Sequence, residues 1–267
     1  MSDLRPITLI TGASAGIGVA LAREFARHGH DLALVARRED RLNDLADEIA
    51  ATGRPRPLVI KADLAQAGIA RRLAEALAAQ GAEVQYVVNN AGFGLVGLAA
   101  SRDRNEQLSM IDLNVRALTE LSLAFVESLA RHRGGILNVG SMAAFMPGPG
   151  MAVYYATKAF VVSFSQALSS ELKPRGIRVT ALCPGPVPTE FAERAGVKTS
   201  SLAPPILTQS PEVVAEQGYA GLMAGQRVVI PGFVNRLVIG LVRFLPRGLV
   251  LAALDKRQTR RRSATAS

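Results

Sequence analysis

From residue 7 to residue 183 the chain repeatedly changes its hydrophobic period. Short apolar runs rich in β-branched residues alternate with amphipathic segments of helical length. "ITLIT" (7–11), "DLALVA" (31–36), "PLVIKAD" (57–63), "QYVVNN" (85–90), "GILNVGS" (135–141) and "IRVTALC" (177–183) read as strands. Helices are predicted at about 17–28, closed by Gly29, and through "EDRLNDLADEIAATG", where Leu42, Leu45 and Ile49 share a face and Gly53 follows the end. Further helices are expected at about 66–79, 106–131 and 152–173, and a last strand, "RVVI", at 227–230. Strands joined by helices run parallel, and right-handed crossovers wind such a sheet in both directions. The expected fold class is therefore α/β: a single-domain, doubly wound parallel sheet with helices on both faces. Ligands of such sheets bind at the carboxyl ends of the strands.

At 267 residues and 49% hydrophobic, the chain supports one sizeable core. No repeat or interdomain linker is visible. The single cysteine, Cys183, excludes an internal disulfide and a cysteine-rich metal site, and reads as a buried strand thiol. His28, His30 and His132 are scattered at helix ends and loops and form no ligand cluster. "MSDLRPITLITG" shows no secretory pattern, so a cytoplasmic setting is expected. Residues 1–226 carry 22 Lys and Arg against 21 acids, whereas residues 227–267 carry 9 against one, Asp255. Such a nearly neutral main domain gives no sign of nucleic-acid binding.

"TGASAGIG" (11–18) sits where the first strand gives way to the first helix. Gly12, Gly16 and Gly18 let backbone amides approach a pyrophosphate at the positive end of a helix dipole, with Ser14 and Ile17 beside them. The spacing G-x-x-x-G-x-G resembles the short-chain dehydrogenase/reductase family, NADP-type, whose domain is of the Rossmann fold. NAD-binding proteins carry an acid at the end of the second strand. Here "VARRED" places Arg37 and Arg38 there, and a guanidinium fork suits a 2′-phosphate, with Ser14 adding a hydroxyl. NADP(H) is therefore expected over NAD(H), with Arg37, first after the strand, as the leading contact. By resemblance, Asp63 with Leu64 contacts adenine, and Asn90, Ala91 and Gly92 of "NNAG" line the cofactor. In "PGPVPTEF" (184–191), Pro184, Gly185, Val187 and Thr189 resemble the turn beside the nicotinamide.

"VYYATKAF" (153–160) holds two of the four tyrosines. Tyr154 stands at i to the i+4 of Lys158 and Tyr155 at i+3, so helical spacing alone admits either. The family signature Y-x-x-x-K matches Tyr154 and Lys158. Ser141, ending the preceding strand, and Asn114, in "IDLNVRAL", match the family's serine and asparagine. The resemblance implies reversible hydride transfer between NADPH and a ketone or secondary alcohol. Tyr154 gives the proton, with its pKa lowered by Lys158, which also holds the ribose. Ser141 steadies the substrate oxygen, Asn114 organises a relay water, and Tyr155 belongs to core or pocket wall. The family commonly pairs subunits through its two long helices, so a homodimer or homotetramer is expected.

The resemblance covers about residues 5–232, which makes 1–232 the expected catalytic domain and 233–267 an extension. In "GFVNRLVIGLVRFLPRGLVLAALDKRQTRRRSATAS" the residues Arg236, Gly240, Arg243 and Arg247 form a helical stripe among Val, Leu, Ile and Phe, with Pro246 expected to break the helix. Three roles stand open: a lid or wall of an apolar substrate pocket, a subunit-contact helix, or a membrane-surface helix aided by the basic run "KRQTRRR", itself expected to fray. "VARRED" and this tail also resemble reductases of long-chain 3-oxoacyl or steroid-like substrates. The loop at about 186–226, with "SSLAPPILTQSP", is expected to line the pocket. A nucleotide-binding regulatory protein without turnover is the rival reading.

Overall fold

The computed structural model describes residues 4–191, 195, 205–242, 244–246, 248–252, 254 and 255. Seven parallel strands form one sheet: β1 (Arg5–Thr11), β2 (Leu32–Ala36), β3 (Leu58–Lys61), β4 (Ala82–Asn89), β5 (Gly135–Val139), β6 (Arg178–Leu182) and β7 (Val228–Val229). Their spatial order is β3-β2-β1-β4-β5-β6-β7. The winding reverses between β1 and β4, which opens a cleft at their carboxyl ends.

Strand alternation sorts the core into two layers. Ile10, Leu34, Val88, Leu137 and Leu182 point to one face, where α1 (Gly16–Arg27), α2 (Glu39–Ala51) and α8 (Pro211–Met223) cover them. Leu9, Val35, Val87, Ile136 and Val179 point to the other. There α3 (Ile69–Ala78), α5 (Leu118–Ala124), α6 (Val126–Arg131) and α7 (Ala152–Leu172) pack. Both faces of each central strand are apolar because both are buried, as parallel sheets require.

The helix expected at 106–131 is real but not continuous. It runs as α4 (Arg104–Ile111), a π-helical turn (Asp112–Ala117), α5 and α6, with Phe125 between the last two outside helical geometry. The extra residue of a π turn re-aims the side chains it carries, and such turns are frequent at functional sites. The final strand shrinks to Val228–Val229. α9 (Phe233–Val242) ends before Pro246. Its Asn235 and Ile239 are buried, while Phe233, Leu237 and Leu241 are exposed. Arg243, Arg247, the basic run 256–262 and residues 200–204 of "SSLAPPILTQSP" lie outside the described residues. Among the described residues no helix is long and apolar enough to cross a membrane.

Candidate active site

Every expected catalytic and cofactor residue, except Asn114 and the Tyr154–Lys158 pair, follows the carboxyl end of a strand, and those three reach the same end from helices. At the β1–α1 turn, Gly12 and Gly16 have φ of 66° and 54°, a region that L side chains rarely adopt. Gly18 is required by space instead. A Cβ there would lie 2.2 Å from the Gly12 carbonyl oxygen and 2.6 Å from Asn90 Nδ2. The α1 N-terminus has no side-chain cap and no acid in its first turn. Its free amides and positive end therefore face the cleft, which suits the phosphates of a dinucleotide.

The turn after β4 is knitted to this loop. Thr11 Oγ1 donates to Val88 O (3.1 Å) and accepts from the amides of Asn90 (3.0 Å) and Ala91 (3.1 Å). Asn90 Nδ2 donates to Thr11 O (2.9 Å) and Gly12 O (3.2 Å). Gly92 is small because Asn114 Oδ1 would stand 2.9 Å from a Cβ there. Asn114, 1% exposed, sits in the π turn. Its Nδ2 donates to Phe93 O (2.9 Å) and Thr157 Oγ1 (3.1 Å), and its Oδ1 accepts from Phe93 N (3.1 Å). The π turn thus ties the β4 loop to α7.

α7 carries Tyr154 and Lys158 on its buried side, and Tyr155 on a half-buried side. The two tyrosines part company in their contacts. The Tyr154 hydroxyl faces Ser141 closely enough for that side chain to act on it, and its ring packs 5.3 Å from that of Phe191. Tyr155 lies flat on the turn at Gly148, where a Cβ would meet its ring at 2.3 Å. Lys158 Nζ donates to Val139 O (2.8 Å) and stands 5.9 Å from the Tyr154 ring centroid. Burial pushes the Tyr154 hydroxyl above its ordinary range, against the opposing pull of Ser141. The lowering expected from Lys158 is absent, because desolvation outweighs an ammonium that is turned onto a backbone carbonyl. Burial lowers Lys158 itself to about 8. Cys183 is buried and reduced, its thiol pushed up to about 12 by burial.

Residues 6–199 match the family model for short chain dehydrogenases. Sulfoacetaldehyde reductase 2 of Chromohalobacter salexigens is 39% identical over 72% of this chain and 75% of its own length. Among solved structures, a short-chain dehydrogenase from Sphingobium yanoikuyae in complex with NADPH superposes with a TM-score of 0.77 at 34% identity, covering 91% of this chain and 97% of that one. A bulky-bulky ketone specific alcohol dehydrogenase from Comamonas testosteroni gives 0.73 at 31%, covering 92% and 96%. The chain belongs to the short-chain dehydrogenase family.

As an oxidoreductase of that family it carries three of the expected cofactor residues, Arg37, Arg38 and Asp63, where β2 and β3 end. Arg38, rather than Arg37, reaches the glycine loop: its Nε and Nη2 both lie 3.3 Å from Ser14 Oγ. Arg37 lines a cleft of about 390 Å³ with Asp63, Ile69 and Arg72. Asp63 Oδ1 accepts from Ala65 N (3.0 Å), and Leu64 is buried beneath it. Ile17 packs on the core under the loop. After β6, Pro184 O accepts from Met142 N (2.9 Å), and a Cβ on Gly185 would meet Asn235 Nδ2 at 2.8 Å. Val187 is buried, and Thr189 leans on the glycine loop, 2.8 Å from where a Gly16 Cβ would be.

Four residues in three places were not legible as site residues. Thr11 reads as the last strand residue, yet it holds two amides of the β4 turn. Asn89 and Asn138 lie mid-sheet, where Asn89 Nδ2 donates to Asn138 Oδ1 (2.9 Å) and Ser122 Oγ (3.0 Å), and Asn138 Nδ2 donates to Ser165 Oγ (2.9 Å). This chain fixes α5 and α7 to the sheet. Its signal was a polar residue inside each otherwise apolar strand. The third place is Glu190, which meets Arg38 at 2.8 Å.

Proposed function

We propose that the protein reversibly reduces a carbonyl to an alcohol with NADPH, and that Tyr154 is the proton donor. The observation that carries this reading is the buried Tyr154 hydroxyl close enough to Ser141 to be acted on by it, with Lys158 one helical turn on and its ammonium 5.9 Å from the Tyr154 ring. Nicotinamide, when bound, supplies or accepts the hydride at the carbonyl carbon. Ser141 donates to the substrate oxygen as it gains charge, and Tyr154 gives that oxygen its proton. A phenol held above its ordinary pKa is protonated throughout the working pH range, which is the form needed for reduction. Lys158, lowered to about 8, keeps charge at neutral pH, and by likeness to the family it would hold the nicotinamide ribose. Both ends of the Asn114 amide are taken by Phe93 and Thr157, which favours a positioning role over direct contact with a relay water. The short-chain dehydrogenase solved with NADPH, and the two arginines after β2, support the choice of cofactor.

Phe93, Met151 and Phe191 surround Tyr154. That apolar setting favours an uncharged ketone, closer to the substrate named for the Comamonas enzyme than to sulfoacetaldehyde. An apolar 3-oxoacyl or steroid-like ketone fits the same description. NADPH oxidation over ketones, aldehydes and 3-oxoacyl thioesters tests the whole reading. Tyr154→Phe is expected to lose turnover by about a hundredfold or more, and Tyr155→Phe to keep most of it. Loss in Tyr155→Phe alone would reassign the donor. NADPH binding with no turnover by the wild type would favour the regulatory reading.

The extension has two faces and, on this proposal, two roles. Inward, Asn235 Nδ2 donates to Leu207 O (3.3 Å) and Pro231 O (3.0 Å), so α9 walls the site beside Gly185 and Met142. Outward, Phe233, Leu237 and Leu241 are exposed, ahead of a segment rich in Lys and Arg. An apolar face with a basic flank fits an anionic membrane surface. Sedimentation with vesicles is expected for anionic lipid, weakened by Leu237→Asp and absent for neutral lipid. No sedimentation with anionic vesicles would remove the membrane role and leave the wall.

A further inference from the structure

The cleft that would take the nucleotide is bridged by an ion pair from opposite sides. Arg38 begins α2, and Glu190 lies on the loop after β6, a separation of 152 residues. Arg38 Nη1 donates to Glu190 Oε2 at 2.8 Å. The same guanidinium lies 3.3 Å from both the hydroxyl and the carbonyl oxygen of Ser14. Arg41 Nη1 stands 3.8 Å from Glu190 Oε1. One residue earlier, Thr189 rests against Gly16. A carboxylate therefore sits where two guanidinium groups converge beside a serine hydroxyl. That donor set is also what a phosphate monoester calls for.

We infer that Glu190 competes with the cofactor's 2′-phosphate for Arg38, so that Glu190 sets the preference between phosphorylated and unphosphorylated nucleotide and latches the Pro184–Phe191 loop across the cleft. The inference rests on the NADPH reading above. A phosphate bearing nearly two charges and a carboxylate cannot share one guanidinium without repulsion. The phosphate wins, because it offers more acceptors and more charge, while an ion pair this exposed is weak. Displacement of Glu190 frees the loop that carries Thr189 and leads towards the substrate side. A nucleotide with a bare 2′-hydroxyl has nothing to displace the carboxylate. It meets a Glu190 that can accept a hydrogen bond from that hydroxyl, and the latch stays closed. Glu190 is thus a specificity-determining residue that acts against the cofactor the site is built to take.

The test is the dissociation constant of NADPH and of NADH, read by cofactor fluorescence, for the wild type, Glu190→Gln and Arg38→Ala. Glu190→Gln is expected to tighten NADPH about two- to fivefold, the worth of an exposed ion pair, and to leave NADH unchanged or weaker. Arg38→Ala is expected to weaken NADPH and spare NADH. A merely structural role for Glu190 would move both cofactors together, and that result, or unchanged NADPH affinity in Glu190→Gln, overturns the latch while leaving the cofactor assignment intact. A wild type that does not prefer NADPH, or an Arg38→Ala variant with normal NADPH affinity, overturns the assignment and the latch with it.

Discussion

Lys158 is a charge placed where the fold would rather have none. It is 6% exposed, and burial lowers it from an ordinary lysine value to about 8. The folded state therefore holds this proton less tightly than the unfolded chain does. Its penalty is full below pH 8 and fades as pH rises from there towards the ordinary lysine value. Lys158→Met is thus expected to raise stability at pH 7. The upper bound is about 3 kcal/mol, less about 1 kcal/mol for the lost hydrogen bond to Val139. Melting at pH 7 and pH 10 checks it: a gain of about 5 °C at pH 7, smaller at pH 10, together with loss of turnover. A variant less stable at both pH values would show that burial of the charge is not what sets Lys158. The residue's position was legible from Y-x-x-x-K spacing. Its energetics were not, since they depend on Val139 and on solvent exclusion, which no local pattern encodes. The same limit applies to the two arginines. Adjacent in "ARRED", they part at the end of β2, Arg37 towards Asp63 and Arg38 towards Ser14, and only the backbone path decides which goes where.

At the scale of elements, periodicity located every strand and nearly every helix, because both faces of the sheet and one face of each helix must be apolar. What it missed is the π turn at Asp112–Ala117. A single inserted residue leaves the apolar spacing on either side intact, so the run from 104 to 131 reads as one helix. The turn's energetics lie in Asn114, which bonds both the N–H and the C=O of Phe93. Asn114→Ala strips both groups of this partner in a buried place. A cost of about 2–4 kcal/mol is expected, seen as a fall in Tm of roughly 5–15 °C, with turnover lost as well. Tyr154→Phe, by contrast, should leave Tm nearly unchanged. An asparagine serving only a water relay would show lost turnover at an unchanged Tm, and that pattern would return Asn114 to the role the family resemblance implies.

At the scale of the whole molecule, the helices that carry the site also carry apolar surface. Leu108 and Ile111 on α4, Leu123 on α5 and Phe160 on α7 are exposed, and Phe160 stacks on Phe164 at 5.6 Å. Isolated exposed apolar residues need no explanation, but here they collect on the two helical runs through which this family commonly pairs its subunits. A two-fold contact would use the same patch on both copies and so double each apolar contribution. We therefore expect the protein to assemble as a dimer or a tetramer through this face, independently of the exposed stripe on α9. Light scattering coupled to size exclusion should give a mass of two or four chains for the wild type. Leu123→Glu combined with Phe160→Glu should reduce the mass at micromolar concentration, because two buried carboxylates per subunit would face their copies across the axis. A chain shortened after residue 232 should keep its assembly if α9 is wall and surface only. Loss of assembly on that truncation, with the helix-face variant still intact, would instead make α9 the subunit contact and reassign its outward face from lipid to a second copy of the chain.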